Sequence, residues 1–350
     1  MSEQATIFLP DISGYTDFVS RTELDHSSHI INELLEILVS SNTAGFTLSE
    51  IEGDAVLFYR KGEPIGIDDL TKQCIEMFEK FHATLKLIER DTLCQCGACQ
   101  GASNLTLKFI VHYGAIKEIK VANFTKASGI DMIIAHRLLK NAISSSEYVL
   151  ATQAYFQSLN ANATSAGLAW LASSHEYPSI GRMDFQYALL DKIRKSIPEP
   201  PPSERPSYTL DHEVIEIDIH APMEHVYDSL VNLNARILWV PGVRSASGEK
   251  PVDRLGTKHR CVFDDATVEI IPRTSERLED EIHYIEANTI VEAGLRTFLE
   301  FTLRRLSEKR THMELKVGVE EGQILPPQMR QTIFTGFRRA CESFKTFCEG

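Results

Sequence analysis

Two aspartates in the first half of the chain are placed where a metal site can form. Asp11 follows the apolar run Ala5–Pro10, which predicts a buried strand, and Asp54 lies in a turn between the strand-like runs Phe46–Ile51 and Ala55–Tyr59. If these strands are neighbours in one sheet, both carboxylates point to the same edge. Two carboxylates suit Mg²⁺ or Mn²⁺, which take oxygen ligands and keep positions open for phosphate oxygens. We therefore predict a divalent metal site at Asp11 and Asp54.

The residues that follow Asp11 are small enough for a polyphosphate to approach the backbone. Ser13 and Gly14 leave backbone N–H groups accessible, and such groups bind phosphate oxygens. The two aspartates and this loop together point to a phosphate-bearing ligand.

A second group of candidate ligands is the stretch Cys94-Gln-Cys-Gly-Ala-Cys99. Its C-x-C-x-x-C spacing allows Cys94, Cys96 and Cys99 to bind Zn²⁺, but structural zinc needs four ligands and no C-x-x-C partner occurs elsewhere. His82 or a second subunit is a candidate for the fourth ligand. The alternative is a glycine-containing loop with reduced thiols. A total of 7 cysteines, an odd number in 350 residues, favours reduced thiols over a disulfide framework.

The elements that position these residues follow from the spacing of apolar side chains. Helical spacing predicts helices over residues 25–42, 69–88 and 130–142, and alternation over 105–113 predicts a strand. His112 lies on the polar face of that strand, where we expect a solvent-facing or hydrogen-bonded structural role. The resulting order β-α-β-β-α-β predicts an α+β domain with a ferredoxin-like sheet and its helices on one face.

A proline-rich stretch divides the chain into two halves. The five prolines between Ser196 and Pro206 favour an extended spacer, so we predict a linker over 196–207 between domains at 1–195 and 208–350. In the second half, Tyr208–His220 predicts a strand and residues 256–318 alternate short strands with turns. Pro327–Cys348 predicts one long helix. The predicted architecture is a long helix laid over a curved antiparallel sheet.

Composition excludes several classes of function. The net charge is −13. The chain has 17 basic and 23 acidic residues before Pro198, and 19 basic and 26 acidic residues from Pro198 onwards. Neither half therefore offers a basic surface for nucleic acid. No apolar stretch approaches the roughly 18 residues of a membrane span, and the first residues lack a signal-peptide pattern. We expect a cytoplasmic protein with no transmembrane segment and no nucleic-acid partner.

Four stretches of the first half resemble, in order, the motifs of class III adenylyl and guanylyl cyclases. They are Phe8-Leu-Pro-Asp-Ile-Ser-Gly-Tyr-Thr16, Glu52-Gly-Asp-Ala-Val-Leu-Phe58, Leu107-Lys-Phe-Ile-Val-His-Tyr-Gly114 and Gly129-Ile-Asp-Met-Ile-Ile-Ala-His-Arg-Leu138. Each motif alone is weak, but four in the family's order indicate a nucleotidyl-cyclase homology domain. Because class III sites form across a dimer interface, the resemblance also implies a homodimer.

The resemblance implies roles for individual residues. Asp11 and Asp54 match the metal-binding aspartates, with the Ile12 carbonyl as a further ligand, and Arg137 matches the arginine that stabilises charge developing on the α-phosphate. Further nucleotide contacts are implied for Ser13, Gly14, Tyr15 and Thr16. Ile133 stands where the family has an asparagine that orients the ribose. Losing one such transition-state donor lowers rates by about 10²–10³-fold, so weak or absent cyclase activity is expected.

The positions that recognise the base depart from the adenylyl pattern. Glu50 stands where guanylyl cyclases carry glutamate, and the partner position falls on Lys126. Glu50 can accept hydrogen bonds from guanine while Lys126 donates to its O6 atom. The alternative is a Glu50–Lys126 salt bridge that closes the base pocket. The family's phosphate-binding lysine is not evident, and Arg182 is the nearest cation that can replace it.

The second half resembles another superfamily. Residues 216–230, then Trp239-Val-Pro-Gly-Val243 and Gly256-Thr257, are similar to START-like (SRPBCC, polyketide-cyclase-like) domains, whose helix-grip fold surrounds a hydrophobic cavity. The resemblance implies a lipid or another apolar small molecule as ligand and leaves the activity open. The candidate cavity-lining residues are Trp239, Phe263, Phe298, Phe301, Phe334 and Phe337. For each of them ordinary core packing is the alternative.

Three functions are compatible with these patterns. The first is a divergent nucleotidyl-cyclase-like protein that binds a nucleoside triphosphate with Mg²⁺ or Mn²⁺ and is coupled to a START-like ligand-binding domain. The second is a non-catalytic sensor or dimerisation module controlled by the apolar ligand. The third makes the START-like half a carrier or small-molecule enzyme, with the first half as a dimerisation scaffold.

Overall fold

The chain folds into two compact units in the computed structural model. Its described residues are 2–20, 22, 24–122, 124–159, 167–178, 180–249, 253–323 and 325–350. The first unit comprises Met1–Glu89 and Gln100–Pro200, and the second comprises Arg90–Cys99 and Pro201–Gly350. The change of unit after Pro200 falls inside the predicted linker. The segment Arg90–Cys99 lies in the second unit, whereas the sequence analysis assigned it to the first domain.

The first half of the chain alternates strands and helices. In chain order the elements are β1 (Glu3–Ser13), α1 (Tyr15–Ser20), α2 (Leu24–Ser40), β2 (Thr47–Glu52), β3 (Ala55–Lys61), α3 (Ile67–Asp91), α4 (Gly97–Gly101), β4 (Thr106–Val121), β5 (Phe124–Ser128), α5 (Ile130–Leu138), β6 (Tyr148–Thr152), α6 (Gln153–Ser158), β7 (Leu171–Tyr177), β8 (Gly181–Leu189) and α7 (Asp191–Ser196). The predicted β-α-β-β-α-β order is present as β1, α2, β2, β3, α3 and β4. The predicted mixed α+β class is therefore confirmed.

The sheet of the first unit is centred on β1. The strand order is β2-β3-β1-β4-β6-β8-β7, and β5 pairs with the far end of β4. Residues 5–12 of β1 are all buried, because the strand has neighbours on both sides and is covered on both faces. The strand also runs further than the sequence indicated: its pairing with β4 continues to Ser13 opposite Thr106, so Asp11 lies inside the strand.

The second unit is an antiparallel sheet with a long helix. Its elements are β9 (Thr209–Ile219), α8 (Met223–Val231), α9 (Arg236–Trp239), β10 (Ser245–Gly248), β11 (His259–Val262), β12 (Thr267–Arg277), β13 (Glu281–Ile290), β14 (Leu295–Ser307), β15 (Arg310–Val319) and α10 (Pro327–Glu349). The strand order is β10-β11-β12-β13-β14-β15-β9, and every pairing is antiparallel. Helix α10 buries Phe334, Cys341, Phe344 and Cys348 in the same core as residues of β9, β14 and β15. The long helix and antiparallel sheet expected for this half are both present.

Two further features concern membranes and thiols. Among the residues that the structure describes, no helix combines the length and the apolar composition needed to cross a membrane. All seven cysteines lie in the described part of the chain, and none of them forms a disulfide there.

Candidate functional site

Strand pairing brings Asp11 and Asp54 to the same end of the sheet. Asp11 in β1 stands opposite Ala55, the first residue of β3. The backbone N–H of Ile12 donates to the carbonyl oxygen of Asp54 at 3.0 Å, which ties the β2–β3 turn to β1. The two aspartates predicted to converge are therefore neighbours, as the assumption of adjacent strands required.

The electrostatics of this pair favour binding of a cation. Burial, and then the nearby charge of Asp11, raises the pKa of Asp54 from 3.8 to about 6. The Asp11 side chain is 10% exposed, and its Oδ2 atom lies 2.9 Å from the ammonium Nζ of Lys108. Lys108 lowers the pKa of Asp54 in turn. Two partly buried carboxylates thus share one internal positive charge, and we call Asp11, Asp54 and Lys108 the carboxylate edge.

Lys108 was not among the residues that the sequence predicted for this site. Its only signal was its place on the polar side of an alternating strand, next to Leu107 and Phe109. The ion pair arises because Lys108 in β4 stands directly opposite Asp11 in β1. Sequence alone does not give the register between two strands so far apart along the chain.

The loop after the carboxylate edge turns sharply from strand into helix. Gly14 adopts a φ of +91°, a region in which a side chain would be strained, and its carbonyl oxygen accepts the first helical hydrogen bond from Phe18 N–H at 3.0 Å. Tyr15 and Thr16 then open α1. The hydroxyl of Ser13 is buried and has no hydrogen-bond partner among the described residues. Ile12 is fully buried between β3 and β4.

Helix α5 carries the predicted catalytic arginine on an exposed surface. Arg137 is exposed and makes no ion pair within the part of the chain that the structure describes. Ile133 is 52% exposed on the same helix. The neighbour of Arg137, His136, places Nδ1 3.8 Å from Oε2 of Glu52, two residues before Asp54. The end of α5 that bears Arg137 therefore lies beside the β2–β3 turn.

A buried polar network holds the beginning of α5. His112 places Nδ1 2.8 Å from Thr152 Oγ1 and Nε2 2.9 Å from Asp131 Oδ1. Asp131 Oδ2 also accepts a hydrogen bond from Ala115 N–H at 2.7 Å. A Cβ atom on Gly114 would lie 2.2 Å from Asp131 Cγ, so only glycine leaves room for this carboxylate. Burial lowers the pKa of His112, whose role is structural as the sequence indicated.

The two base-recognition candidates contact each other, but Arg182 lies elsewhere. Lys126 Nζ lies 3.1 Å from Glu50 Oε2, which is the salt bridge that the sequence analysis gave as the alternative. Arg182 is exposed and pairs with Asp184 at 3.0 Å on β8, three strands away from β1. Its register places it towards the opposite strand end from Asp11, so one chain does not bring the two together.

The second unit contains a cavity of about 300 Å³ between its sheet and α10. Four of the predicted aromatic residues line it, namely Trp239, Phe263, Phe301 and Phe337. Phe298 and Phe334 do not, which corrects the sequence analysis. Phe298 alternates with the lining residues Leu299 and Phe301 on β14 and therefore points to the other face, where it stacks on Tyr208. Phe334 packs under the guanidinium of Arg330 instead.

A buried ion pair borders this cavity, and the sequence analysis missed it. Arg236 and Glu286 are 5% and 0% exposed. They form two hydrogen bonds of 2.9 Å and 2.5 Å. Glu286 also accepts hydrogen bonds from Tyr284 at 3.0 Å and from Asn288 at 3.0 Å. Four hydrogen bonds from these three residues satisfy the buried carboxylate, and Arg236 neutralises its charge, so the pair adds no net charge to the cavity wall.

The three candidate zinc ligands lie together in the Arg90–Cys99 segment. The sulfur atoms of Cys94, Cys96 and Cys99 are all within 4.8 Å of one another. His82, considered as a further ligand from the sequence, belongs to the first unit and places Nε2 3.3 Å from Glu147. Burial lowers its pKa to about 3, so the imidazole is neutral.

The chain is similar in sequence to a protein family and to a mycobacterial protein. Residues 31–148 match the family described as "Protein of unknown function (DUF2652)". The chain is 29% identical over 155 residues to "Uncharacterized protein Rv2561/Rv2562" of Mycobacterium tuberculosis (strain ATCC 25618 / H37Rv), covering 44% of this chain and 71% of that protein.

Solved structures similar to the chain include catalytic domains of nucleotidyl cyclases. The catalytic core of a rhodopsin-guanylyl cyclase with converted specificity, in complex with ATPalphaS, matches with a TM-score of 0.40 and 16% identity over 53% of this chain and 96% of that chain. The guanylyl cyclase Cya2 matches with a TM-score of 0.40 and 12% identity over 54% of this chain and 92% of that chain. At such low scores the likeness assigns no activity to this chain.

Proposed function

We propose that the first unit binds a nucleoside triphosphate together with Mg²⁺ or Mn²⁺ at the carboxylate edge, as a divergent relative of the nucleotidyl cyclases. The observation that carries the proposal is the pairing of β1 with β3, which sets Asp11 beside the turn that holds Asp54. Burial and the charge of Asp11 also raise the pKa of Asp54, and a divalent cation would relieve this carboxylate pair. Asp11 and Asp54 supply the hard oxygen ligands. Ser13 and Gly14 begin the turn into α1, where backbone N–H groups would meet the phosphates.

The residues of the carboxylate edge fit the metal that the proposal requires. A bound divalent cation would neutralise phosphate charge and activate a ribose hydroxyl. The ammonium of Lys108 balances one carboxylate in the absence of the metal. Arg137 has the exposure needed to meet the α-phosphate of a nucleotide held by a second copy of the chain.

A homodimer is part of the proposal because the exposed surface around Arg137 is apolar. Five large aliphatic side chains, each at least 41% exposed, lie on β2, β4 and α5: Leu48, Ile51, Ile119, Ile130 and Ile133. Helix α5 and β2 both contact the β4–β5 hairpin, so these residues belong to neighbouring elements. Apolar side chains concentrated in this way favour burial against a protein partner. Replacing Ile130 with glutamate should convert a dimer into monomers, which light scattering during gel filtration measures.

Loss of the ribose-orienting asparagine explains why we expect low activity. Ile133 is half-exposed, so a polar side chain can be introduced there without harm to the core. We expect Ile133→Asn to raise cyclic nucleotide formation by about 10²-fold, the value typical of one positioned donor. Leu171→Asn is the matched control, since Leu171 is 49% exposed on β7, outside the proposed dimer surface.

The experiment that tests the proposal uses the full chain with each of ATP, GTP, CTP and UTP plus Mn²⁺. Cyclic nucleotide is followed by mass spectrometry, and nucleotide binding is followed by calorimetry with and without the metal. Asp54→Ala should abolish metal-dependent binding, whereas Asp265→Ala at an exposed position of the second unit should not. Metal-dependent binding without product identifies the non-catalytic sensor. Absence of binding for all four nucleotides overturns the proposal.

Base preference is tested with the same binding assay. Glu50 is 15% exposed and already paired with Lys126, so a base that binds Glu50 must offer hydrogen-bond donors to its carboxylate. Guanine offers an N1–H and an amino group to Glu50, whereas adenine offers no such pair of neighbouring donors. We expect tighter binding of GTP than of ATP, and Glu50→Ala should remove the difference. Equal affinities in the unaltered chain would count against guanine.

The cavity of the second unit favours a second function, binding of an apolar small molecule by a START-like domain. Its volume of about 300 Å³ lies at the lower end of the range for small-molecule sites. Gly336 on α10 lines the cavity, and a Cβ atom there would meet nothing within 4 Å. Gly336 is exposed, so Gly336→Leu places an apolar side chain at the border of the cavity without a clash, and in the middle of a helix the change also favours folding.

Binding of 1-anilinonaphthalene-8-sulfonate measures access to this cavity. We expect the probe to bind the unaltered chain and to bind at least about tenfold more weakly to Gly336→Leu, because the added side chain obstructs the border of the cavity. Thr335→Leu is the matched control, since Thr335 is an exposed neighbour on α10. Equal binding to all three proteins would refute the cavity as the ligand site. Mass spectrometry of an organic extract of the purified protein then identifies any resident molecule.

A further inference from the structure

The Arg90–Cys99 segment is firmly attached to the second unit. Leu93 N–H donates to the carbonyl oxygen of Asp253 at 3.0 Å, and Leu255 N–H donates to that of Asp91 at 2.8 Å. The Leu93 side chain is 1% exposed in the core of this unit. Arg90 also donates to the carbonyl oxygen of Pro201 at 2.6 Å. The segment that carries the three cysteines therefore starts from a fixed base.

Local backbone geometry gathers the three sulfur atoms. The short helix α4 begins at Gly97, so Cys96 and Cys99 are one helical turn apart and share a face. The backbone N–H of Cys96 lies 3.4 Å from Cys94 Sγ, which closes the loop from the other side. Cys99 is 4% exposed, and the other two cysteines are half-buried. All three sulfur atoms lie within 4.8 Å of one another.

These distances match the requirement of a tetrahedral zinc ion. With Zn–S bonds of about 2.3 Å, tetrahedral geometry places thiolate sulfurs about 3.8 Å apart. All three sulfur atoms lie within 4.8 Å of one another, so side-chain rotation has to change any separation above 3.8 Å by at most about 1 Å. Soft thiolate ligands select zinc over Mg²⁺, Mn²⁺ or Ca²⁺, which take oxygen ligands. The site is chemically distinct from the carboxylate edge.

We propose that Cys94, Cys96 and Cys99 bind one Zn²⁺ ion through their thiolates, with the fourth position filled from outside the Arg90–Cys99 segment. Three Zn–S bonds form, and the three S–H protons pass to solvent. The ion cross-links the loop that carries Cys94 and Cys96 to Cys99 in α4. The proposal does not depend on nucleotide binding in the first unit.

Metal content and spectroscopy test the site directly. The full chain, purified without chelator or histidine tag from zinc-supplemented cells, should contain about one zinc ion by elemental analysis. Substitution of Co²⁺ in the reduced protein should give sulfur-to-cobalt charge-transfer absorption that weakens with each single change of Cys94, Cys96 or Cys99 to serine. Cys348→Ser, in α10, is the matched control and should leave the absorption unchanged.

A second measurement uses only the unaltered chain, so it does not depend on whether a variant folds. Alkylation by iodoacetamide, mapped by mass spectrometry, should be at least about tenfold slower at all three cysteines with zinc bound than after chelation. Zinc-free protein without charge-transfer absorption after Co²⁺ addition would overturn the proposal. So would a disulfide among the three cysteines in protein handled under the same conditions as the zinc assay.

Discussion

Replacing Asp54 with asparagine should stabilise the metal-free protein at neutral pH. The substitution keeps the size of the side chain and removes its charge. In the folded chain the pKa of Asp54 is raised from 3.8 to about 6, first by burial and then by the charge of Asp11, while Lys108 opposes the rise. A carboxyl group that resists ionisation in the folded state weakens folding wherever the unfolded chain ionises it.

The size of this effect follows from the difference in pKa. A rise from 3.8 to about 6 corresponds to about 3 kcal/mol, at about 1.4 kcal/mol for each pH unit. The Asp54 side chain is only half-buried, so solvent screening reduces the expected gain in unfolding free energy to about 1–2 kcal/mol. Below pH 3.8 the carboxyl is protonated in both states and the substitution changes nothing. The gain in unfolding free energy grows between about pH 4 and pH 6 and stays constant above about pH 6.

Calorimetric unfolding in the presence of a chelator, from pH 4 to pH 8, measures this dependence. At pH 8 we expect the transition of the first unit to move up by about 2–6 °C in Asp54→Asn. Asp265→Asn, at an exposed position, is the control and should not shift the transition with pH in this way. Adding Mn²⁺ should stabilise the unaltered chain and leave Asp54→Asn unchanged. A variant less stable than the unaltered chain at pH 8, or a gain that persists at pH 4, would refute the reasoning.

Three further predictions follow from the same contacts. Affinity for Mn²⁺ measured by calorimetry should fall about tenfold for each pH unit below about 6, as Asp54 takes up a proton; a flat profile would contradict metal binding there. Arg236→Met should lower the unfolding free energy by about 3–5 kcal/mol, because the Glu286 carboxylate stays buried without its cation. Adding Glu286→Gln to Arg236→Met should recover part of the lost unfolding free energy, as measured by urea unfolding. If nothing is recovered, the loss comes from packing of the Arg236 side chain and not from the unpaired charge. Gly114→Ala should cost about 1–3 kcal/mol by displacing Asp131 from its buried hydrogen bonds, and an unchanged melting temperature would be inconsistent with the crowding.

Most of the secondary structure follows from local patterns. The period of apolar residues identified α2, α3 and α5, the strand β4 and the long helix α10, because one buried face imposes its spacing on the sequence. Ends of elements were less accurate. The strand containing Asp11 continues to Ser13, since pairing with β4 extends it beyond its apolar core.

The candidate site was predictable in its residue types and only in part in its contacts. Asp11 and Asp54 were expected at one edge if their strands were neighbours, and β1 does pair with β3 there. The Lys108–Asp11 pair depends on the register between β1 and β4, which apolar periodicity does not encode. Glu50 and Lys126 had two interpretations, and their 3.1 Å contact corresponds to the salt bridge.

By itself, the sequence determined the net charge, the position of the junction between halves, the two aspartates with their neighbouring small residues, and the isoleucine at position 133. These are properties of residue type and short-range spacing. Tertiary structure alone decided that Lys108 faces Asp11, that Phe301 lines the cavity while Phe298 does not, and that Arg90–Cys99 folds with the second unit. The physical reason is that strand register and long-range burial depend on pairings between distant segments, whose energies no local pattern contains.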